Sequence, residues 1–217
     1  MKRKFAPPSH CHLAARALCS IAVMLIGFSA CAQNLLINGD FEAPLGTNWT
    51  VVYGTDNTSA PPYEAYGGPG DFAIAERTTF SSRNAGGMGA HLRVNNDGQM
   101  HAYFKQAVSG LTPGTSYTLS GWMKYYQGGF KLNEKVSIYF QAVGGLGTNS
   151  TMDISANDDP DNQTNLVYHQ YFVTNTADAN GRIEVRLHLD KHIETICCDK
   201  QYIFNGLWDD MALTLTP

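Results

Sequence analysis

From Gln33 to Pro217, hydrophobic and polar residues alternate in short segments between turn-forming clusters, without a sustained 3.6-residue period. A period of two places successive side chains on opposite faces of a β-strand. The clearest example is RIEVRLHLD (182–190), where one face is purely aliphatic: Ile183, Val185, Leu187 and Leu189. The other face is polar: Arg182, Glu184, Arg186, His188 and Asp190. This segment predicts a strand with one buried and one outward face.

The same alternation recurs in three further segments: MHAYFKQAV (100–108), SYTLSGWMKYY (116–126) and KVSIYFQAV (135–143). LVYHQYFVT (166–174) is another predicted strand, whose facing is ambiguous, and LWDDMALTL (207–215) ends the domain. The predicted inward positions of the first three are Ala102, Phe104, Gln106, Val108, Tyr117, Leu119, Gly121, Met123, Val136, Ile138, Phe140 and Ala142. Roughly seven to ten short strands separated by turns are typical of two antiparallel sheets packed face to face. We therefore predict an all-β fold, a two-sheet antiparallel β-sandwich or jelly roll.

The stretch between the first predicted strand and Met100 is different, because it is rich in Gly, Pro, Asn and Tyr, as in TDNTSAPPYEAYGGPGD (55–71). Such composition predicts a long loop within one domain rather than a linker between two.

Residues 1–32 have the composition of a secretory leader. Lys2, Arg3, Lys4 and Arg16 precede or flank an apolar run over 17–30, which ends in the small residues Ala30-Cys31-Ala32. Ordinary cleavage would leave Gln33 first, and we favour it. The alternative is a lipobox in FSAC (28–31) and a lipid anchor on Cys31. We expect a leader over 1–32 and a single domain over 33–217, in a protein that a bacterium secretes or displays on its surface.

Composition and charge narrow the function classes. The chain is 43% hydrophobic and 16% charged, as in soluble globular proteins, and no apolar run approaches the roughly 20 residues of a membrane-spanning helix. Loss of the leader removes four of the 15 basic residues and none of the 19 acidic ones, which takes the formal charge from −4 to −8. An acidic surface argues against a nucleic-acid partner.

Only two cysteines, Cys197 and Cys198, follow the leader. Their Cα atoms would lie about 3.8 Å apart, closer than relaxed disulfides prefer, so a ring between them would be strained. A vicinal disulfide, free thiols and intermolecular bonds all stay open. Zinc is not expected at this pair, because no second Cys or His pair follows at ligand spacing.

Three segments together resemble a known family: NLLINGDFE (34–42) with Trp49 downstream, FKQAVSGLTPGTSYTLSGWMK (104–124) and LWDDMALTL (207–215). They are similar to the jelly-roll carbohydrate-binding modules of the xylan- and glucan-binding type, within the galactose-binding-like superfamily. In that pattern Leu35, Leu36 and Ile37 begin the core as the first strand. Asn38-Gly39 breaks the strand, and the turn there can direct the Asp40 carbonyl and the Glu42 carboxylate toward one point. The resemblance implies a sandwich fold more strongly than any particular ligand.

The resemblance also implies a structural Ca²⁺ ion where the two chain ends meet. Its ligands would be the Asp40 carbonyl, the Glu42 carboxylate, Asp209 or Asp210, and carbonyls from SSRNAGGMG (81–89). Six to eight hard oxygens at about 2.4 Å are what Ca²⁺ requires. The alternative is that these acidic residues are ordinary solvated charges.

Sugar binding needs other side chains, because a pyranose offers an apolar C–H face and a fringe of hydroxyls. Side chains alternate along a strand, so if Tyr117 and Met123 face inward, Trp122 faces outward. Trp122 is therefore a candidate aromatic platform. The alternative for Trp122 is burial in the core or under a loop. Parity does not show whether the other outward candidates share its sheet. The predicted carbohydrate-binding residues are Trp122, Lys124, Tyr126, Tyr139, Gln141, Arg186 and His188.

The function that these patterns favour is noncovalent binding of a polysaccharide or oligosaccharide by a secreted, non-catalytic protein. A secreted adhesion or structural sandwich without a sugar site is the main alternative. Less favoured are a lyase that uses His188, Tyr139 and Arg186, and a hydrolase that draws two carboxylates from Glu184, Asp190 and Glu194. No spacing singles out either catalytic set.

Overall fold

The computed structural model describes residues 33–53, 73–95, 100–128, 134–152, 154–155, 167–193 and 203–217. Its contacts divide the chain into Met1–Cys31 and Ala32–Pro217, and every described residue belongs to the second unit. Several predictions lie outside the described residues: the predicted leader over 1–32, Glu194, and the pair Cys197 and Cys198. No helix within the described ranges is long and apolar enough to cross a membrane.

The described residues form eleven strands and two 3-10 turns, Leu45–Thr47 and Thr79–Ser81. The strands are β1 (Thr50–Tyr53), β2 (Ala73–Thr78), β3 (Gly89–Asn95), β4 (Met100–Val108), β5 (Ser116–Gly128), β6 (Glu134–Gly144), β7 (Gly147–Ser150), β8 (Ile154–Ser155), β9 (His169–Thr176), β10 (Ile183–Ile193) and β11 (Ile203–Leu215). The predicted loop before Met100 therefore contains three strands, which the turn-rich composition around them concealed.

The strands pair antiparallel into two sheets. Sheet A has the order β1-β4-β10-β6-β7, with β8 also paired to β6, and sheet B has the order β2-β3-β11-β5-β9. Neighbours in each sheet are mostly distant in sequence, as expected for a jelly roll. The predicted all-β sandwich is confirmed.

The core lies between the inner faces of the two sheets. The four aliphatic residues of β10 that alternation turned inward are all fully buried, as are Leu119 and Met123 on β5. Trp208 on β11 meets Phe104 on β4 edge to face, with ring centroids 6.5 Å apart and planes at 88°. Gly206 allows this packing, because a Cβ there would lie 2.5 Å from the Trp208 ring. The large indole therefore joins the two sheets.

The two ends of the domain meet along β11. The Asn34 side chain donates to the Met211 carbonyl and accepts from the Leu213 amide, both at 3.0 Å. Two main-chain bonds of 2.8 Å add to this, from Leu35 N to Leu213 O and from Met211 N to Gly39 O. The N-terminal segment thus docks beside the last strand.

The opening segment has the turn that Asn38-Gly39 predicted, but Leu35, Leu36 and Ile37 before it do not form a strand. Residues 36–40 form a bend and turn, with positive φ at Asn38 (54°) and Phe41 (57°). Leu36 is buried, whereas Ile37 is 62% exposed. The Asn38 side chain stabilises the turn, because it accepts from Ala43 N at 2.7 Å and donates to Ala43 O at 2.8 Å. An Asx-type bond of this kind competes with strand pairing.

Candidate functional site

The predicted sugar-binding residues do not form one surface. Trp122, Lys124 and Tyr126 lie on β5 in sheet B, and the side chain of Tyr126 is outside the described residues. The other four lie on two neighbouring strands of sheet A, where β6 and β10 pair Tyr139 with His188 and Gln141 with Arg186. Sheet A therefore brings together Tyr139, Gln141, Arg186 and His188 on its outer face.

A row of three rings crosses that face. Tyr103 on β4, His188 on β10 and Tyr139 on β6 are in register. The His188 ring is 4.8 Å from Tyr103 and 4.7 Å from Tyr139 between centroids, with interplanar angles of 24° and 8°. This spacing matches that of neighbouring strands, about 4.8 Å, so the rings stand upright and face each other. The aromatic row consequently has no open face between its rings, and of its members Tyr103 and His188 are buried while Tyr139 is partly exposed.

Polar groups surround one end of the row. The Tyr139 hydroxyl donates to Asp190 Oδ2 at 2.6 Å. His101 Nε2 lies 2.8 Å from His188 Nδ1 and 3.2 Å from Asp190 Oδ1. His188 is 2% exposed. Desolvation, followed by the nearby His101 and Arg186, lowers the pKa of His188 well below its ordinary value, so the ring is neutral.

The other end of the face carries an ion-pair group. Glu184 accepts from Arg182 and from Arg186, each at 2.8 Å. The Arg186 guanidinium also lies 5.4 Å from the centre of the Tyr103 ring. A cavity of about 250 Å³ adjoins these side chains, lined by Val143, Gly144, Asp178, Arg182, Glu184 and Arg186. Planar charged groups and a recess therefore lie directly beside the aromatic row.

Sequence reasoning missed Tyr103 and His101. Both alternate with the inward-facing Ala102 and Phe104 in MHAYFKQAV, so the parity used on the other strands would have placed them outward. The alternation in β4 therefore predicts the facing of both residues, but it does not show which strands lie beside β4. Register then shows that β4 is the neighbour of β10.

Trp122 lies outward on sheet B, as parity predicted, but its ring is partly covered. The Arg83 guanidinium sits 4.3 Å from the ring centroid. Next to it, the Lys124 ammonium lies 4.7 Å from the Tyr168 ring, and burial lowers the pKa of Lys124. One face of Trp122 is thus occupied by a cation from the same chain.

The predicted calcium ligands divide into two groups. Asp209 is 2% exposed, and its Oδ2 accepts from Arg83 N at 2.6 Å. Glu42 Oε1 accepts from Met88 N, at 2.9 Å, on the same loop. Asp210 instead binds the Arg83 guanidinium, with 3.0 Å between Nε and Oδ2, and Asp40 is exposed. Glu42 and Asp209 therefore converge on residues 81–89.

Among the acidic residues predicted as calcium ligands, Asp209 is the one whose buried charge a bound cation would stabilise most. Desolvation raises the pKa of its carboxyl to about 6, although the Arg83 and Asp210 amides oppose the shift. A buried carboxylate with a raised pKa is favourable only when a cation or further donors compensate its charge. The donor set of Glu42 and Asp209 is chemically suited to a hard cation such as Ca²⁺.

The comparisons with known proteins address the fold. No family model and no curated protein matches the sequence. Among solved structures, the family 61 module TmCBM61 in complex with β-1,4-galactotriose aligns with 85% of this chain and 100% of its own, at 15% identity and a TM-score of 0.51. The chain has the jelly-roll fold of a carbohydrate-binding module.

Other solved structures with this fold match less well. The alignment with the CBM22-1 xylan-binding domain of Paenibacillus barcinonensis Xyn10C covers 85% of this chain and 95% of that domain, with 10% identity and a TM-score of 0.44. The Clostridium thermocellum Xyn10B CBM22-1-GH10 modules, complexed with xylohexaose, match over 84% of this chain and 28% of their own, with 13% identity and a TM-score of 0.41.

Proposed function

We propose that this protein binds a polysaccharide or oligosaccharide noncovalently through the outer face of sheet A, as an exported, non-catalytic protein. The observation that carries the proposal is the aromatic row of Tyr103, His188 and Tyr139 with Arg186 and Gln141 beside it. The fold similarity to a module solved with β-1,4-galactotriose supports the ligand class.

The upright rings suggest how a sugar would be held. The partly exposed Tyr139 offers a hydroxyl, and Arg186 and Gln141 offer planar N–H groups, so hydroxyl recognition would dominate over stacking. Tyr103 and His188 are each 2% exposed, so they would support Tyr139 rather than contact the sugar directly. Gln141 is already oriented, because its Nε2 donates to Ser150 Oγ at 3.0 Å. Contacts that replace well-hydrated hydroxyls give modest affinity, so we expect Kd values on the order of micromolar to millimolar.

Affinity electrophoresis against soluble galactan, xylan and β-glucan tests the proposal. Wild-type protein should be retarded by at least one of them, and Tyr139→Ala or Gln141→Ala should weaken retardation, with about tenfold lower affinity for Tyr139→Ala. A tenfold loss corresponds to about 1.4 kcal/mol. Trp122→Ala is the matched control on sheet B and should bind as the wild type does.

Three outcomes would count against this assignment. Retention of binding in Tyr139→Ala together with its loss in Trp122→Ala would move the site to sheet B. No retardation by any polysaccharide would favour the adhesion or structural alternative, for which the covering of Trp122 by Arg83 is the supporting observation. New reducing ends or unsaturated products from a bound polysaccharide would show catalysis.

We also propose a structural Ca²⁺ ion between the chain ends, with Glu42 and Asp209 as its carboxylate ligands and the Asp40 carbonyl as a third oxygen. The support is the burial and the raised pKa of Asp209, together with the shared contact of both carboxylates with residues 81–89. Bound there, the ion would join the N-terminal turn to β11. It would supply charge compensation and no chemistry.

Calcium removal should lower the melting temperature. Ca²⁺ at about ten times its Kd would stabilise the protein by about 1.4 kcal/mol, or roughly 3–6 °C in a domain of this size. Differential scanning calorimetry with and without a calcium-selective chelator measures this shift. Asp209→Asn should abolish the shift, whereas Asp210→Asn should retain it, because the Asp210 carboxylate pairs with Arg83. A wild-type melting temperature that is the same with and without the chelator would refute the site.

A further inference from the structure

We infer that His101, His188 and Asp190 form a second metal site, which takes a divalent transition-metal ion of the zinc class. This site is separate from the calcium proposal and does not depend on sugar binding. Within the described ranges, these three residues are the one group of His, Cys, Asp or Glu whose potential ligand atoms all lie within 4.8 Å of one another.

The sheet brings the three residues together. β4 and β10 are neighbours, and their register places His101 opposite Asp190. His101 Nε2 is 2.8 Å from His188 Nδ1 and 3.2 Å from Asp190 Oδ1. In a tetrahedral site with bonds of about 2.0–2.1 Å, ligand atoms lie about 3.3 Å apart. Two of the three separations are therefore within about half an ångström of those in a tetrahedral site, and the third is no longer than 4.8 Å.

Within the cluster, the three residues present more acceptor atoms than donors to one another. A neutral imidazole has one N–H and one lone pair. The Asp190 carboxylate favours a proton on His101 Nε2, so His188 Nδ1 accepts from that N–H and the His188 proton lies on Nε2. One N–H then serves two acceptors, His188 Nδ1 and Asp190 Oδ1. This tautomer of His188 keeps the lone pair on Nδ1, the nitrogen that faces His101.

A metal ion would use the same lone pairs more fully. With His101 in its other tautomer, two imidazole nitrogens and one carboxylate oxygen, all within 4.8 Å of one another, would be available to one ion. The neutral imidazole is the form that metals bind. Two nitrogen ligands favour zinc, cobalt, nickel or copper over calcium, which takes oxygen ligands.

The surroundings hold the ligands as metal sites require. The Tyr139 hydroxyl binds Asp190 Oδ2, while Oδ1 faces His101 Nε2. The rings of Tyr103 and Tyr139 pack on both faces of His188 and fix its orientation. Such outer contacts typically change metal affinity by about 10- to 100-fold. Three protein ligands leave a fourth position for water or for an oxygen of a bound ligand.

Titration of the purified protein with Zn²⁺ tests the inference. Protein stripped with a chelator is returned to calcium-containing buffer, so that hard-oxygen sites are filled, and ZnCl₂ is added in a calorimeter without any polysaccharide. One equivalent should bind and should resist displacement by excess Ca²⁺. Co²⁺ in place of Zn²⁺ should give the visible d–d absorption of a four- or five-coordinate site.

The variants separate this site from other histidines. His188→Ala and the isosteric Asp190→Asn should each weaken Zn²⁺ binding at least about tenfold, and Tyr139→Phe should weaken it by about tenfold through the Asp190 contact. His169→Ala is the control, because it removes an exposed histidine on β9 in sheet B. Thermal melts show whether each variant is folded. If His188→Ala is not folded, Asp190→Asn tests the site in its place.

Two results would overturn the inference. One is the absence of Zn²⁺ binding by the folded wild-type protein. The other is unchanged Zn²⁺ affinity and an unchanged Co²⁺ spectrum in Asp190→Asn, which would place the bound ion elsewhere. Because no polysaccharide is present, either result leaves the sugar-binding proposal untouched and can be told apart from its failure.

Discussion

Trp208→Ala should lower the free energy of unfolding by about 3–5 kcal/mol, the range for large aromatic residues removed from a core. Trp208 is fully buried and packs edge to face on Phe104 of the opposite sheet. The substitution removes that contact and leaves a cavity, since the β-strand frame cannot collapse around it. Urea denaturation at a fixed calcium concentration measures the loss. Because domains are typically stable by about 5–15 kcal/mol, the variant would be marginal.

Trp122→Ala is the matched control for that experiment. It makes the same chemical change on β5, the strand that pairs with β11, but on the outward face. Its cost should be about 1–2 kcal/mol, because a half-buried ring and one cation–π contact with Arg83 are lost. Equal losses in the two variants would contradict the assignment of Trp208, rather than Trp122, to the contact between the sheets.

The all-β class and the inward faces of the long strands could be predicted, because period-two alternation directly reflects a sheet with one buried face. β10 is the best example, since all four of its predicted inward residues are fully buried. The opening segment could not be predicted in the same way. Leu35, Leu36 and Ile37 look like a strand, but the Asn38 side chain bonds Ala43 and makes a turn there. Local side-chain bonds of this type outweigh propensity.

The candidate site was harder to predict than the fold, because sites depend on strand order. The alternation along each strand predicted that both Trp122 and Tyr139 face outward, but Trp122 is on sheet B and Tyr139 is on sheet A. Only the register of β4, β10 and β6 shows that Tyr103, His188 and Tyr139 are adjacent. The orientation of the rings is also a property of packing. Stacked, upright rings cannot be distinguished from an open platform by sequence alone.

The contact between the N-terminal segment and β11 depends on a glycine, Gly39. A Cβ at Gly39 would lie 2.1 Å from the Met211 carbonyl oxygen and 3.2 Å from Asn34 Nδ2. Gly39 O also accepts from Met211 N at 2.8 Å. Its φ lies outside the left-handed region, so close approach of two backbones, rather than conformational freedom, requires glycine here.

Gly39→Ala should therefore destabilise the domain by about 3 kcal/mol, because overpacking costs about 1–3 kcal/mol and the displaced turn also loses hydrogen bonds of about 1 kcal/mol each. Gly46→Ala is the control, since a Cβ there meets nothing within 4 Å and should change stability by less than about 1 kcal/mol. Urea denaturation of both variants gives the comparison. The calcium-dependent gain in melting temperature should also shrink in Gly39→Ala alone, because the N-terminal turn that carries Glu42 moves away from β11. Equal stability of the two variants would mean that the N-terminal turn is not held against the last strand in solution.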